Sequence, residues 1–132
     1  NTVTQPIITK WNGSTNEYYL EYIGSTGFRF TVDSANVSFP IGITNNTWYH
    51  VIAYHDSSSD VIGLEINAGT PNTTSYTTGP TSGDSVFEVG AQSIDGNYFT
   101  GRIDSLGFWK KILTEYERDV LYNAGSGLEP AF

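Results

Sequence analysis

Acidic side chains are the first residues whose chemistry could reveal what this protein does. Hydrolysis of a glycosidic bond uses two carboxyl groups about 5–10 Å apart with different pKa values. The best-placed pair, Glu17 and Glu21, flanks Tyr19 on one face of a predicted strand, and Asp104 stands alone on a later one. Two glutamates on a strand face are typical of a solubilising surface. The sequence therefore predicts no catalytic residues and no enzyme.

An aromatic ring beside amide or carboxylate groups is the combination that sugar binding requires, and two stretches contain it. Trp11 is followed by Asn12, and a later loop carries Asp95, Asn97 and Tyr98. Tryptophans are also frequent in cores and on sheet faces, which is the alternative interpretation of Trp11. If the protein binds a glycan, we expect these five residues to contact it.

The segments that must position these residues are mostly β-strands. Alternation of side chains in residues 17–23 and 28–32, with turn residues between them, predicts a hairpin. Residues 48–56 and 61–67 predict a second hairpin, and apolar residues on both faces of 48–56 indicate burial on both sides. Further strands are expected at 6–11, 73–78 and 86–91, with 73–78 at a sheet edge. This spacing favours an antiparallel sandwich or barrel.

The end of the chain predicts a strand after Tyr98, a short connection and then a helix. Thr114 and Glu117 have the spacing of a capping box at a helix N-terminus. Apolar residues recur behind them at helical spacing, and Gly125 is placed where a left-handed helix stop is expected.

Composition limits the possible partners. The chain has 132 residues, a net charge of -8 and only six Lys plus Arg. Without a basic patch, binding to nucleic acid or to an anionic membrane surface is disfavoured. The apolar runs are too short for membrane insertion. There are no cysteines, so no disulfide framework or thiolate metal site is expected.

Three segments, in this order, resemble the laminin G-like branch of the concanavalin A-like jelly rolls. The first is TWYHVIAY at 47–54, followed by Asp56. The second is VGA at 89–91. The third and most recognisable is FTGRIDSLGFW at 99–109, followed by Leu113-Thr114 and Leu121-Tyr122.

This resemblance implies an all-β fold, an antiparallel jelly-roll β-sandwich with one short C-terminal helix, formed by residues 1–132 as a single domain. It also implies that His50 is a hydrogen-bonded core histidine. Family members normally begin with several strands before the segment equivalent to residues 6–8. We therefore expect that the native chain extends before Asn1 or that another polypeptide supplies those strands, because their absence would leave a sheet edge unpaired.

Many members of the family bind calcium through loop Asp and Asn oxygens and backbone carbonyls. The resemblance therefore implies calcium as a possible cofactor, with Asp95 and Asn97 as the candidate ligands. Two other pairs are of the right type, Asp33 with Asn36 and Asp56 with Asp60. These residue types also favour Asx turns that bind no ion, so both interpretations remain open.

The resemblance implies a non-catalytic recognition or adhesion module that binds a glycan or cell-surface polysaccharide. Its expected setting is a larger extracellular, cell-surface or virion-surface protein, such as a phage tail fibre or a microbial adhesin. Two alternatives remain open. One is an architectural domain that packs against other subunits of an assembly, and the other is an accessory domain of a glycan-degrading enzyme.

Overall fold

A computed structural model describes residues 3–14, 16–24 and 26–128, and in these residues ten short strands precede a single α-helix. The predicted antiparallel β-sandwich with one short C-terminal helix is confirmed. The elements are β1 (Thr4–Trp11), β2 (Asn16–Ile23), β3 (Gly27–Val32), β4 (Ala35–Phe39), β5 (Val51–Asp56), β6 (Val61–Ile66), β7 (Asn72–Ser75), β8 (Phe87–Val89), β9 (Ala91–Gln92), β10 (Asn97–Tyr98) and α1 (Glu115–Tyr122).

The larger sheet has five antiparallel strands in the order β4-β3-β2-β1-β8. The predicted first hairpin is β2–β3, in which Leu20 pairs with Phe30 and Tyr22 with Phe28. These paired side chains point towards the second sheet and are buried. Alternation of side chains along both strands therefore places one complete apolar face in the core.

The smaller sheet has the order β5-β6-β7, and its centre is β6. Ile62 and Leu64 are fully buried there, and they belong to one apolar cluster with the inner face of the larger sheet. Gly63 pairs with Tyr54, and a Cβ built on Gly63 would lie 2.1 Å from Cζ of the Tyr54 ring. Any larger residue at 63 would therefore force the Tyr54 ring, which lies across the strand at Gly63, to move.

Two predictions about this sheet had different outcomes. The predicted β5–β6 hairpin and the edge position of β7 are confirmed. The expectation that β5 is buried on both sides is wrong, because β5 lies at the other edge and all six of its residues are only half-buried. Val51 and Ala53 pack against the core, and the strand also borders a large cavity.

The interpretation of Glu17 and Glu21 as exposed, solubilising residues is also wrong. Both are only 4% exposed, and each forms an ion pair, Glu17 with Lys10 and Glu21 with Arg29. The hydrogen bond from Lys10 is the main cause that lowers the pKa of Glu17, and Ser85 N–H adds a second bond at 3.3 Å. Cations from the neighbouring strands thus make burial of these carboxylates tolerable.

Helix α1 begins as predicted. Thr114 Oγ1 accepts from Glu117 N–H at 3.2 Å, and Glu117 Oε2 accepts from Thr114 N–H at 2.8 Å, which completes the capping box. Lys111 also pairs with Glu117, and these contacts lower the pKa of Glu117 to about 2. The helix ends at Asn123, which has a left-handed φ of 47°, so the left-handed stop comes two residues before the predicted Gly125.

The strand predicted after Tyr98 is not formed. Only Asn97–Tyr98 is extended in a ladder, and residues 99–114 have no strand assignment. A strand exists only where another strand accepts and donates its backbone hydrogen bonds. Within the described residues, residues 99–114 have no such neighbour, which explains why a sequence pattern typical of a strand gives an irregular segment.

Candidate functional site

The five residues predicted to contact a glycan are brought to two adjacent loops. Strand β1 ends at Trp11 and leads into residues 12–14, while a single 3₁₀ turn, Ser93–Asp95, connects β9 to β10. A Cβ built on Gly13, whose φ is 90°, would lie 3.0 Å from Cδ1 of Ile94. The two loops are therefore in contact. We refer to residues 11–14 and 93–98 as the loop face.

The side chains of the loop face offer one large ring and several polar groups. Tyr98 is 61% exposed, and Trp11 is half-buried. Asn97 Nδ2 donates to Gln92 Oε1 at 3.3 Å, and Asn12 Oδ1 accepts from Ser14 N–H at 3.1 Å. The amides are thus held in fixed positions beside an exposed aromatic ring.

Asp95 is exposed, and its carboxylate has no partner within the described residues. In the same described part of the chain, no three His, Cys, Asp or Glu side chains are grouped so that they could hold a metal ion. A calcium site at Asp95 and Asn97 would therefore need backbone carbonyls or water for its remaining ligands. Calcium binding by this pair stays a prediction.

The other two calcium candidates serve as hydrogen-bond acceptors in the fold. Burial raises the pKa of Asp33, but hydrogen bonds from Tyr76 and Thr81 outweigh it, and the pKa is lowered. Asp56 accepts from Ser58 N–H at 2.9 Å and from the hydroxyl groups of Ser58 and Ser59, and these bonds lower its pKa. The Asp56 carboxylate thus stabilises a local turn, which is the alternative that its residue type left open. The Asp33 carboxylate instead accepts hydrogen bonds from residues more than forty positions away.

A second region, which the sequence analysis did not identify, is a cavity of about 840 Å³. It lies between β5 and residues 101–112, and we call it the cleft. Aromatic side chains are prominent in its lining, and Trp48, Phe108 and Trp109 are 59%, 63% and 43% exposed. Large aromatic side chains that line one cavity and remain this exposed indicate a surface that contacts another molecule.

Basic residues are concentrated around the cleft. Four of the six Lys and Arg line it, although the chain as a whole carries a net charge of -8. Arg118 forms an ion pair with buried Glu65 at 2.7 Å and donates to Leu113 C=O at 2.7 Å, which fastens α1 to β6. Lys111 pairs with Glu117. The remaining two, Arg102 and Lys110, have no partner within the described residues.

His50 lies at the cleft and is half-buried. Its ring packs against Tyr122 with centroids 5.8 Å apart, and burial lowers its pKa. Its Nδ1 is buried without a hydrogen-bond partner in the described residues. The prediction of a hydrogen-bonded core histidine is therefore wrong for Nδ1. The ring of His55 contacts Tyr76 instead, with centroids 5.1 Å apart.

The only sequence signals for the cleft were indirect. Residues 48–56 have apolar side chains on both faces, and residues 99–109 have the pattern of a strand. Each pattern predicts that another element packs beside the segment. Within the described residues no strand lies between the two segments, and the space between them is the cleft.

Comparisons with known proteins identify the family. Neither a search of curated proteins nor a search of solved structures gave a significant match. No helix in the described part of the chain is long and apolar enough to span a membrane. A laminin G-like family model, that of the concanavalin A-like lectin/glucanases superfamily, matches residues 1–117. Because this match covers most of the 132 residues, the chain belongs to the concanavalin A-like lectin/glucanase superfamily.

Proposed function

We propose that the domain is a non-catalytic recognition or adhesion module that binds glycans through its loop face. Its setting is a larger extracellular, cell-surface or virion-surface protein. The observation that carries the proposal is the close approach of Gly13 to Ile94, which brings together the two loops that carry Trp11, Asn12, Asp95, Asn97 and Tyr98.

The chemistry of the loop face suits a sugar. An exposed ring offers an apolar face for the C–H groups of a pyranose, while amide and carboxylate groups beside it satisfy the hydroxyl groups. The hydrogen bonds of Asn97 with Gln92 and of Asn12 with Ser14 fix these polar groups before a ligand arrives. Such preorganisation reduces the entropy cost of binding.

The buried carboxylates support a non-catalytic role. A general acid needs a raised pKa, whereas the pKa of Glu17 is lowered. Glu17 and Glu21 are four residues apart on one strand, which corresponds to about 13 Å and exceeds the spacing of either glycosidase mechanism. Each of these carboxylates, and Glu65 as well, is neutralised by its own cation.

A glycan array tests the proposal. The protein is applied once with calcium and once with a chelator. We expect a restricted set of glycans to bind, and the same set to be lost when Tyr98→Ala is applied. No binding in either buffer would contradict the proposal.

The calcium arm of the same experiment tests Asp95 and Asn97. If calcium bridges the loop and the sugar, the chelator abolishes binding, and Asp95→Asn does the same in calcium buffer. Asp60→Asn is the matched control, because Asp60 belongs to a calcium candidate outside the loop face. Equal binding with calcium and with chelator would show that glycan binding at the loop face does not require calcium.

The cleft favours a second candidate function, an architectural domain that packs against another polypeptide. Its exposed aromatic side chains line a cavity beside the open edge of β5, and contact with another polypeptide would cover both. The two functions use different surfaces and can coexist.

A further inference from the structure

The outer edge of β5 has unpaired backbone groups. Asn67 N–H donates to His50 C=O at 2.9 Å, so residues 50 and 67 form a hydrogen-bonded pair of the antiparallel ladder. Hydrogen-bonded and non-hydrogen-bonded pairs alternate along such a ladder. The N–H and C=O groups of Val51, Ala53 and His55 therefore point away from β6, and no backbone partner meets them within the described residues.

The opposite wall of the cleft has the same property. Setting Ser105 aside, residues 101–112 make no backbone–backbone hydrogen bond within the described chain. Two backbone segments with unmet hydrogen-bonding groups thus face each other across an apolar cavity. A backbone of extended conformation is the group that can satisfy them.

The cavity volume alone does not decide what binds. About 840 Å³ falls within the roughly 300–1,000 Å³ typical of small-molecule sites. A small apolar ligand, however, would leave the outward groups of β5 unsatisfied and would not use the length of the strand. Six residues of β5 correspond to an edge of about 20 Å, which matches a short peptide strand.

Charge selects among possible polypeptides. Arg102 and Lys110 line the cleft without partners in the described residues, so a segment that carries carboxylates would meet them. A second copy of this chain is disfavoured, because each copy has a net charge of -8 and the two would repel each other.

We propose that the cleft binds an extended segment of another polypeptide, which adds as a β-strand along β5. Its backbone pairs with Val51, Ala53 and His55, its apolar side chains pack among Trp48, Phe108 and Trp109, and its acidic residues meet Arg102 and Lys110. This interaction is independent of glycan binding at the loop face.

Selection from a display library of random twelve-residue peptides tests the proposal. Peptides are selected on the wild-type protein and counter-selected on Ala53→Pro. Proline at 53 removes an outward N–H and no bond to β6. The matched control is Thr73→Pro, since the pairing of Tyr76 N–H with Asp60 C=O places Thr73 outward on the other edge of the same sheet.

We expect peptides with alternating apolar residues and at least one Asp or Glu. Ala53→Pro should weaken their binding at least tenfold and Thr73→Pro should leave it unchanged. With a selected peptide bound, hydrogen exchange of the Val51, Ala53 and His55 amides should slow at least tenfold, and that of Thr73 should not change.

N-methylated peptides keep the test valid if Ala53→Pro does not fold. Two methylated versions of the selected peptide are made, one with N-methyl groups on the odd-numbered residues and one with them on the even-numbered residues. At least one version should bind the wild-type protein tenfold more weakly than the unmethylated peptide. The proposal is overturned if no peptide is enriched, if both methylated versions bind as tightly as the unmethylated peptide, or if the β5 amides keep their exchange rates. Sedimentation at twice the monomer mass that Ala53→Pro abolishes would also overturn it, in favour of a second copy.

Discussion

The loop face and the cleft are both exposed aromatic surfaces, but they differ in what they leave unsatisfied. At the loop face, turns and the short β9–β10 ladder pair the backbone, and the exposed side chains include Tyr98 and Asp95. At the cleft, the backbone groups on the outer edge of β5 and along most of residues 101–112 have no backbone partner within the described residues. A surface of the first kind can recognise a ligand by side-chain chemistry, whereas one of the second kind requires a polypeptide.

This difference explains why only one of the two regions was predicted. The five residues of the loop face lie in two short stretches, so their types and spacing are visible in the sequence. The cleft is defined by a strand neighbour that the described residues lack. A sequence pattern can predict a strand, but it does not indicate whether a partner strand is present beside it.

The largest expected effect compares a leucine in the core with one on the wall of the cleft. Leu64→Ala should lower the free energy of unfolding by about 4 kcal/mol, because Leu64 is fully buried and its removal leaves a cavity. Leu106→Ala should change it by less than about 0.5 kcal/mol, because Leu106 is 46% exposed. Urea denaturation measures both. Equal losses would mean that the wall is part of the core and that no cleft exists.

The next effect concerns the anchor of α1. Arg118→Ala leaves Glu65 buried without a partner and should destabilise the protein by about 3 kcal/mol. Lys111→Ala removes an exposed ion pair and should cost less than about 1 kcal/mol. Thermal unfolding of the two variants provides the measurement. A similar small loss for both would show that α1 is not held to β6 by this contact.

A smaller effect separates the loop face from the helix surface. Tyr98→Ala should weaken binding of an array-identified glycan about tenfold, equivalent to about 1.4 kcal/mol. Tyr116→Ala is the control, because Tyr116 is an even more exposed tyrosine on α1, outside the loop face. Isothermal titration calorimetry gives both affinities. An undiminished affinity for Tyr98→Ala would remove the ring from the proposed site.

The smallest effect is a pH dependence that His50 contributes at the cleft. Burial lowers its pKa below 6.5, so the folded state favours the neutral ring. Its stabilising contribution is complete above pH 6.5 and is lost as the pH falls from 6.5 through the lowered folded pKa, because the unfolded state binds more protons. Denaturation curves from pH 7.5 to 5 should show this loss in wild type and a smaller loss in His50→Gln. Identical profiles would show that His50 contributes nothing.

Local signals in the sequence predicted the hairpins and the helix cap well. Thr114 and Glu117 are three residues apart, and their reciprocal hydrogen bonds depend on nothing distant. Other predictions were wrong because the outcome depended on contacts with residues distant in the sequence. Glu17 and Glu21 were predicted to face solvent, yet they are buried, and Lys10 and Arg29 pair with them from adjacent strands. Residues 99–109 have the pattern of a strand, but they have no strand neighbour within the described residues.

The most direct test of the central claim, that the loop face is the glycan-binding surface and the cleft is not, is NMR mapping of backbone amides. The glycan with the strongest array signal is titrated into the wild-type protein. We expect shifts at residues 11–14 and 93–98, with residues 51–56 and 101–112 unchanged. Shifts at the cleft, or no shifts at either surface, would contradict the account.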